Sequence, residues 1–368
     1  MLQLLLSPLV WSLGASATLH HMFVGTYGGS GVYAVTYDDT TRALTSTKSN
    51  TTREDNEWLA LSYDGKTLYS SGLAGWSSFP ITSPTTIGAS TGSSPSPGQC
   101  AIWQGIFILA SRRAPYSVYG TLSCARSKDV GAPAGQVGRG KGEVVYNETA
   151  VMYGMDMDPS NQYLYTSDFK SGKIWTHKVN KDGSLTALAS VEGPSPVGAP
   201  RTVVVHPSGK SLYVVLEGWN VLALYAINAT THLPEYMDAL FNLVPPTETP
   251  ANYAAHSAVV STKGSVLWAT TSSKVGGKPG FITGFRLQED GQIIDQIFQV
   301  NTPTGGGKSN NLAASPFADN MVALTESERG SVSLWRYDNV NVKQIASVQI
   351  HDAGAPNKGC CSEAVWLD

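Results

Sequence analysis

The sequence predicts an all-β protein, a seven-bladed β-propeller of four-stranded blades whose ring is closed by its N- and C-terminal strands. Three observations predict it. Short apolar runs alternate with turn dipeptides along all 368 residues. A strand–turn–strand phrase recurs with a period of about 50 residues, the mark of a radial repeat. The first and last strands also read as partners. With 37 glycines, 20 prolines and only 14% charged residues, the composition suits short strands and tight turns better than solvent-facing helices.

The phrase is an apolar strand, a turn, then a second strand carrying an aromatic anchor. It appears as Trp58–Tyr69, Met155–Tyr165, Val203–Tyr213 and Ala258–Trp268, with a degenerate copy at Leu312–Val322. Neighbouring anchors stand 48, 55 and 54 residues apart, and the interval of 96 between Tyr69 and Tyr165 leaves room for one more copy. That copy is expected near position 112, with Ile106–Ser111 as its diverged form. Strands at Lys173–Val179, Val221–Ile227, Gly280–Leu287 and Val332–Tyr337 extend the units, with Asp-Gly, Ser-Gly and Lys-Gly turns between runs. An open solenoid would leave its terminal edges unpaired. Here His21–Tyr27 and Glu363–Asp368 can share one blade and close the ring. No composition break divides the chain after residue 17, so residues 18–368 are expected to form one domain.

Residues 1–17 read as a secretory signal: an apolar run, Met1–Leu13, followed by Gly-Ala15-Ser-Ala17. The run is too short to span a bilayer. Acceptor sequons at Asn50, Asn147 and Asn228 agree with a secreted protein. The four cysteines allow three pairings; Cys100–Cys124 across a hairpin and a vicinal Cys360–Cys361 bridge are the favoured set. The formal net charge is −3 and the basic residues are scattered, so neither a nucleic acid nor a membrane is expected as partner.

Twelve residues before each anchor, the inner strand of a blade opens on a polar residue: Glu57, Tyr153, Arg201, His256 and Asn310. Inner strands line the channel of a propeller, so these side chains are expected at one channel mouth. Four residues after an anchor stand Glu217 and Glu326, and Glu363 opens the closing strand. Channel-lining polar groups often do no more than hold water, but an arginine, a glutamate, a tyrosine and a histidine at one register form a candidate site. His177 and His206 read as structural. Gly88–Gly92 fits G-x-S-x-G within a Ser/Thr/Gly-rich stretch rather than a strand-to-helix elbow. Gly305–Ser309 lacks the first glycine of a phosphate loop, Thr302 standing in its place. No metal or dinucleotide motif is present, and no cofactor is expected.

At these strands the chain resembles the fungal carboxy-cis,cis-muconate cyclase (3-carboxymuconate lactonizing enzyme) family. The matching segments include His20–Thr26, Trp76–Phe79, Pro115–Tyr119, Asp158–Tyr165, Trp175–His177, Pro200–Arg201, His206–Gly209 and Ala364–Asp368. The resemblance implies a seven-bladed propeller working without cofactor or metal, with a histidine, two arginines and a glutamate around the channel to bind a triacid and move a proton. Arg201, in Ala-Pro-Arg, matches one arginine and Glu217, in Val-Leu-Glu-Gly, the glutamate. Tyr153 stands where the family has a histidine, Lys274 replaces the second arginine, and Lys308 replaces a histidine of a Gly-Gly-His-Ser-Asn phrase. These departures are chemical. A phenol does not cycle protons near neutrality as an imidazole does, and an ammonium lacks the bidentate fork that grips a carboxylate.

The expected function is accordingly a cyclase of fungal secondary metabolism acting on small molecules. The resemblance extends to secreted hetero-Diels–Alderases that join a tropolone quinone methide to a humulene-type sesquiterpene. In that reading Arg201, Tyr153 or Lys274 polarises a carbonyl, His256 and Asn310 orient an oxygen, and Trp219 and Tyr116 form apolar walls. The alternatives are a retained lactonizing activity or a related lactonase, with Glu217 or His256 handling the proton, and a non-catalytic ligand-binding propeller.

Overall fold

A computed structural model describes residues 18–27, 31–50, 56–72, 74–95, 105–122, 126–131, 135–138, 140–195, 198–307, 310–350 and 360–368. The expected signal segment, Cys100, Cys124 and Lys308 lie outside the described residues. The strands form seven antiparallel sheets, each one blade. From blade 1 to blade 7 the inner strands are Cys360–Trp366, Trp58–Leu61, Gly105–Ala110, Met152–Met157, Pro200–Val205, Tyr253–Val260 and Asn310–Ala314. Each packs beside the next around the ring. Blade 1 supplies the closure: Cys360–Trp366 pairs with Leu19–Thr26 in the register Met22↔Trp366, Phe23↔Val365 and Val24↔Ala364. The first and last of the described strands therefore share a blade, which closes the ring.

Blade 2 departs from the four-strand plan. Its third strand, Gly75–Ser83, is too long for one short partner, and both Thr86–Ile87 and Gly92–Pro95 pair with it. The G-x-S-x-G stretch at Gly88–Gly92 is the link between those two short strands. Its backbone N–H groups at Gly88 and Thr91 donate to Pro80 and Ser78, so it forms no nucleophile elbow.

The aromatic anchors are explained by a repeated contact. Tyr119 Oη donates to Gly183 O at 2.9 Å, Tyr165 Oη to His232 O at 2.9 Å, and Tyr213 Oη to Gly291 O at 2.5 Å. Each phenol stands in the second strand of one blade and reaches the outer hairpin turn of the next. A buried ring thus fills the gap between blades while its hydroxyl satisfies a turn carbonyl. Tyr119 is the anchor of blade 3. The missing repeat is centred there rather than near 112, because Ile106–Ser111 belongs to the preceding inner strand and its turn.

Packing energy sits between blades rather than at one centre. Tyr213, Leu222 and Leu224 of blade 5 pack with Ala255, Leu267 and Phe285 of blade 6, and each fully buried large side chain contributes roughly 1.5–3 kcal/mol. Buried histidines tie these seams. His206 Nε2 contacts Gly264 O at 2.9 Å. His177 lies between Leu164 O and the Tyr146 hydroxyl, which also stands 2.8 Å from Ser127 Oγ. Burial pushes the His177 imidazole down to about 4, with the Leu164 contact opposing it, so it is a neutral structural link, as the sequence suggested.

Candidate active site at the channel mouth

Hydroxyls of one blade bond to inner-strand carbonyls of the next, and the carbonyls chosen belong to the polar register. Thr121 Oγ1 donates to Tyr153 O at 2.7 Å, Ser167 Oγ to Arg201 O at 2.8 Å, and Thr202 Oγ1 to His256 O at 2.8 Å. Thr270 donates likewise to Asn310 O, and Thr325 to Ser362 O at 2.5 Å. Tyr153, Arg201, His256 and Asn310 therefore occupy one level of four successive blades, as counted from the anchors. Their side chains share no common fate.

Arg201 and Glu217 form the centre. Arg201 Nη1 lies 2.5 Å from Glu217 Oε2, and the guanidinium carbon lies 4.9 Å from the centre of the Tyr153 ring. Glu217 follows the second strand of blade 5, Ser211–Leu216, where its N–H donates to Ala199 O at 3.0 Å. The strand that carries Arg201 and the turn that carries Glu217 are thereby locked together. Burial opposes the charge on Arg201, but Tyr153 and Glu217 outweigh it and raise the guanidinium's pKa above its ordinary value. Among the described residues its side chain has no other hydrogen bond, so most of the planar fork stays uncommitted.

These three side chains face a recess of about 540 Å³, completed by Val151, Phe169, Lys170 and Ala199. Phe169 is tilted against Tyr153 with ring centroids 5.5 Å apart. Phe169 and Lys170 were not singled out from the sequence. The signal was present: Phe169 stands four residues after the anchor Tyr165, just as Glu217 stands four after Tyr213.

The other expected residues lie elsewhere. His256 is buried behind the mouth, its Nδ1 without a hydrogen-bond partner among the described residues. Burial, then the charges of Arg201 and Lys274, lower its pKa well below 6.5, so it is neutral and cannot act as an acid. Lys274 is exposed on the loop after Val266–Ser273, near enough for its charge to act on His256, but it does not line the recess. Asn310 is fully buried and donates Nδ2 to Thr271 O of the neighbouring blade at 2.8 Å, and it does not line the recess. Glu57 is buried just before the inner strand of blade 2. Glu326 is turned inward to the Thr304 hydroxyl at 2.8 Å and to Ser331, so it is no counterpart of Glu217.

The two proposed apolar walls are corrected. Tyr116 lies in the turn that follows the inner strand of blade 3, at the end of the channel opposite Arg201, stacked on Tyr63 at 3.7 Å. Trp219 sits on the turn beyond Glu217 and is 37% exposed, outside the recess. Both follow from turn geometry, which inner-strand counting does not reach.

Glu363 does line the channel wall. It accepts the Leu59 N–H at 3.0 Å, and burial lifts its carboxyl to about 8 against the opposing pull of that bond. Cys360 and Cys361 are joined by a disulfide at the start of the same strand. Of the sequons, Asn147 is exposed in a loop and Asn50 ends the third strand of blade 1. Asn228 Nδ2 already donates to Glu235 at 2.8 Å, while its Oδ1 caps Thr230 and Thr231. Among the described residues no three His, Cys, Asp or Glu side chains group as metal ligands, and no helix is long and apolar enough to cross a membrane.

Comparison with known proteins agrees with this architecture. Residues 21–341 match the family model described as "Lactonase, 7-bladed beta-propeller". The chain is 30% identical over 370 residues to the carboxy-cis,cis-muconate cyclase of Neurospora crassa, covering 95% of this chain and 100% of that protein. It is 24% identical over 350 residues to muconate cycloisomerase 1 of Cutaneotrichosporon cutaneum, covering 88% and 92% respectively. Among solved structures, the periplasmic gluconolactonase of Pseudomonas aeruginosa superposes with a TM-score of 0.75 at 14% identity, covering 95% of this chain and 99% of that one. The blade count, the closure and these matches lead to one conclusion: the chain belongs to the lactonase family of seven-bladed β-propellers.

Proposed function

We propose that this protein is an intramolecular lyase that closes an unsaturated carboxylic acid into a lactone, and opens it in the reverse direction. The observation that carries the reading is the Arg201–Glu217 pair held over the Tyr153 ring at the channel mouth. In the closing direction a substrate carboxylate oxygen attacks one alkene carbon. The π pair moves to the neighbouring carbon and into the carbonyl group held by Arg201, whose fixed charge stabilises the developing enolate. A proton drawn from solvent at the open mouth completes that carbon, passed on by the carboxylate of Glu217, which stays paired with Arg201. In the opening direction its carboxylate removes the same proton. Two relatives named as muconate-cyclising enzymes, and a structural neighbour named as a gluconolactonase, support this class of reaction.

A second reading, an intermolecular hetero-Diels–Alder reaction between a tropolone quinone methide and a humulene-type sesquiterpene, is favoured by one observation, the apolar flank of Val151, Phe169 and Ala199. It is the weaker of the two, because Trp219 and Tyr116 lie outside the recess. For either reaction the proposal places the protein in the secretory pathway, supported by the apolar N-terminal run, the exposed Asn147 sequon and the Cys360–Cys361 bridge.

The test incubates purified protein with carboxymuconate, muconate and their lactones, following loss of diene absorbance and product by NMR. Separate incubations supply a quinone methide precursor with humulenol. Lactone formation that falls about 100-fold or more in both Arg201→Met and Glu217→Gln is the expected result. Turnover indifferent to both substitutions, or cycloadduct formed without any lactone, overturns the reading.

A further inference from the structure

The recess has two unlike sides. Arg201 and Glu217 make one, already joined as an ion pair. The other is the turn Phe169–Lys170 that follows the second strand of blade 4, Tyr163–Asp168. This turn is built to be rigid. The buried Asp168 carboxylate accepts the N–H groups of Val151 at 3.0 Å and Ser171 at 3.1 Å, and Phe169 N–H donates to Val151 O at 2.9 Å. Phe169 is thereby presented to the recess beside Tyr153 as a preorganised flat surface, with the exposed Lys170 ammonium at its rim.

We propose that this turn is a specificity subsite that selects a monoanionic substrate with a flat, conjugated or aromatic body. The proposal rests on the recess being the place where substrate binds. The charges bear it out. Glu217 offsets Arg201, so the described lining carries one positive charge in excess, on Lys170. One carboxylate matches that balance. A tricarboxylate, such as the carboxymuconate in the name of the Neurospora relative, would press two further negative charges against Glu217 and three apolar side chains, with no cation of the lining left to meet them. A planar body lies against Phe169 and Tyr153 with its anionic end reaching Lys170.

The test is calorimetric binding of three probes to the full-length protein: trans-cinnamate, cinnamyl alcohol and trans-aconitate. Cinnamate is expected to bind about tenfold or more tightly than trans-aconitate, and about fivefold more tightly than the alcohol. Phe169→Ala is expected to weaken cinnamate about tenfold. Lys170→Met weakens it about fivefold, abolishes its preference over the alcohol, and is rescued by Lys170→Arg. Trans-aconitate binding as tightly as cinnamate overturns the proposal, as does cinnamate that fails to bind or ignores both substitutions. The two readings fail separately. Lactone turnover indifferent to Arg201→Met removes the reaction, whereas cinnamate binding indifferent to Phe169→Ala and Lys170→Met removes only the selectivity.

Discussion

Replacing Glu363 by glutamine tests the channel wall through its proton. The carboxyl accepts the Leu59 N–H across the seam where blade 1 meets blade 2, and burial lifts it to about 8 from an ordinary 4.5. A group whose folded pKa is raised favours the folded state when protonated. The stability it supports is complete below about pH 4.5, declines as pH rises towards 8, and is flat beyond. The gap between those two values is worth at most about 5 kcal/mol. Glu363 keeps some access to the channel, so a drop of about 2–3 kcal/mol is expected. Glutamine keeps an oxygen for the Leu59 N–H but has no proton to lose. Urea unfolding followed by tryptophan fluorescence at pH 5, 7 and 9 should give near-equal stabilities at pH 5. At pH 9 Glu363→Gln should be the more stable by about 2–3 kcal/mol. Parallel pH curves for the two proteins would refute the assignment of a buried, proton-holding carboxyl to this position.

Further outcomes follow from contacts of the same kind. His177 has the opposite sign: held down to about 4, it leaves the folded state short of a proton between that value and 6.5, so its own contribution to stability should fall as pH drops through this range; unfolding curves of the wild type and His177→Gln that stay parallel from pH 7 to pH 4 would count against it. Tyr213→Phe removes the bond to Gly291 O and leaves that carbonyl unsatisfied, which should cost about 1–2 kcal/mol in urea unfolding, with Tyr119→Phe and Tyr165→Phe close behind; a null effect at all three would deny the anchors their hydroxyl role. Gly120→Ala would place a methyl group 2.2 Å from the Trp76 ring between blades 2 and 3, and a loss of about 2–4 kcal/mol is expected, read as a lowered melting temperature. Arg201→Lys keeps the charge and loses the fork, so lactone turnover should fall about 10- to 100-fold while the melting temperature holds within a few degrees.

How much of this was legible in the sequence depends on the kind of residue. The anchors were legible because a phenol in a second strand answers to two demands at once, filling the gap between blades and bonding to a turn carbonyl. Tyr119 escaped notice because the turn after its inner strand, Gly105–Ala110, has no glycine dipeptide of the kind found in the copies that end at Tyr69, Tyr213 and Trp268. Tyr153, Arg201 and Glu217 were legible by counting from the anchors, since strand register sets the level of a side chain. The same count placed Asn310 correctly on the ring, yet its amide turns to Thr271 O, which no count reveals. Phe169 stands four residues beyond its anchor, as Glu217 does, but it is apolar and Lys170 lies one place further, so a count that looks for charge at that place singles out neither; the capping by Asp168 that aims them is a tertiary contact.

The sequence by itself determined the repeat, the seven-bladed ring and its closure, the level at which Tyr153, Arg201, His256 and Asn310 stand, and the position of Glu217 four residues beyond its anchor. These rest on periodicity, and periodicity is a property of the chain. Only the tertiary structure decided that Arg201 pairs with Glu217 over Tyr153, that His256 is neutral and buried, that Tyr116 belongs to the opposite end of the channel, and that Phe169 and Lys170 complete the recess. Those outcomes depend on which side chain from the neighbouring blade takes up each hydrogen bond and each unit of space, and that competition is settled only when the blades close against one another.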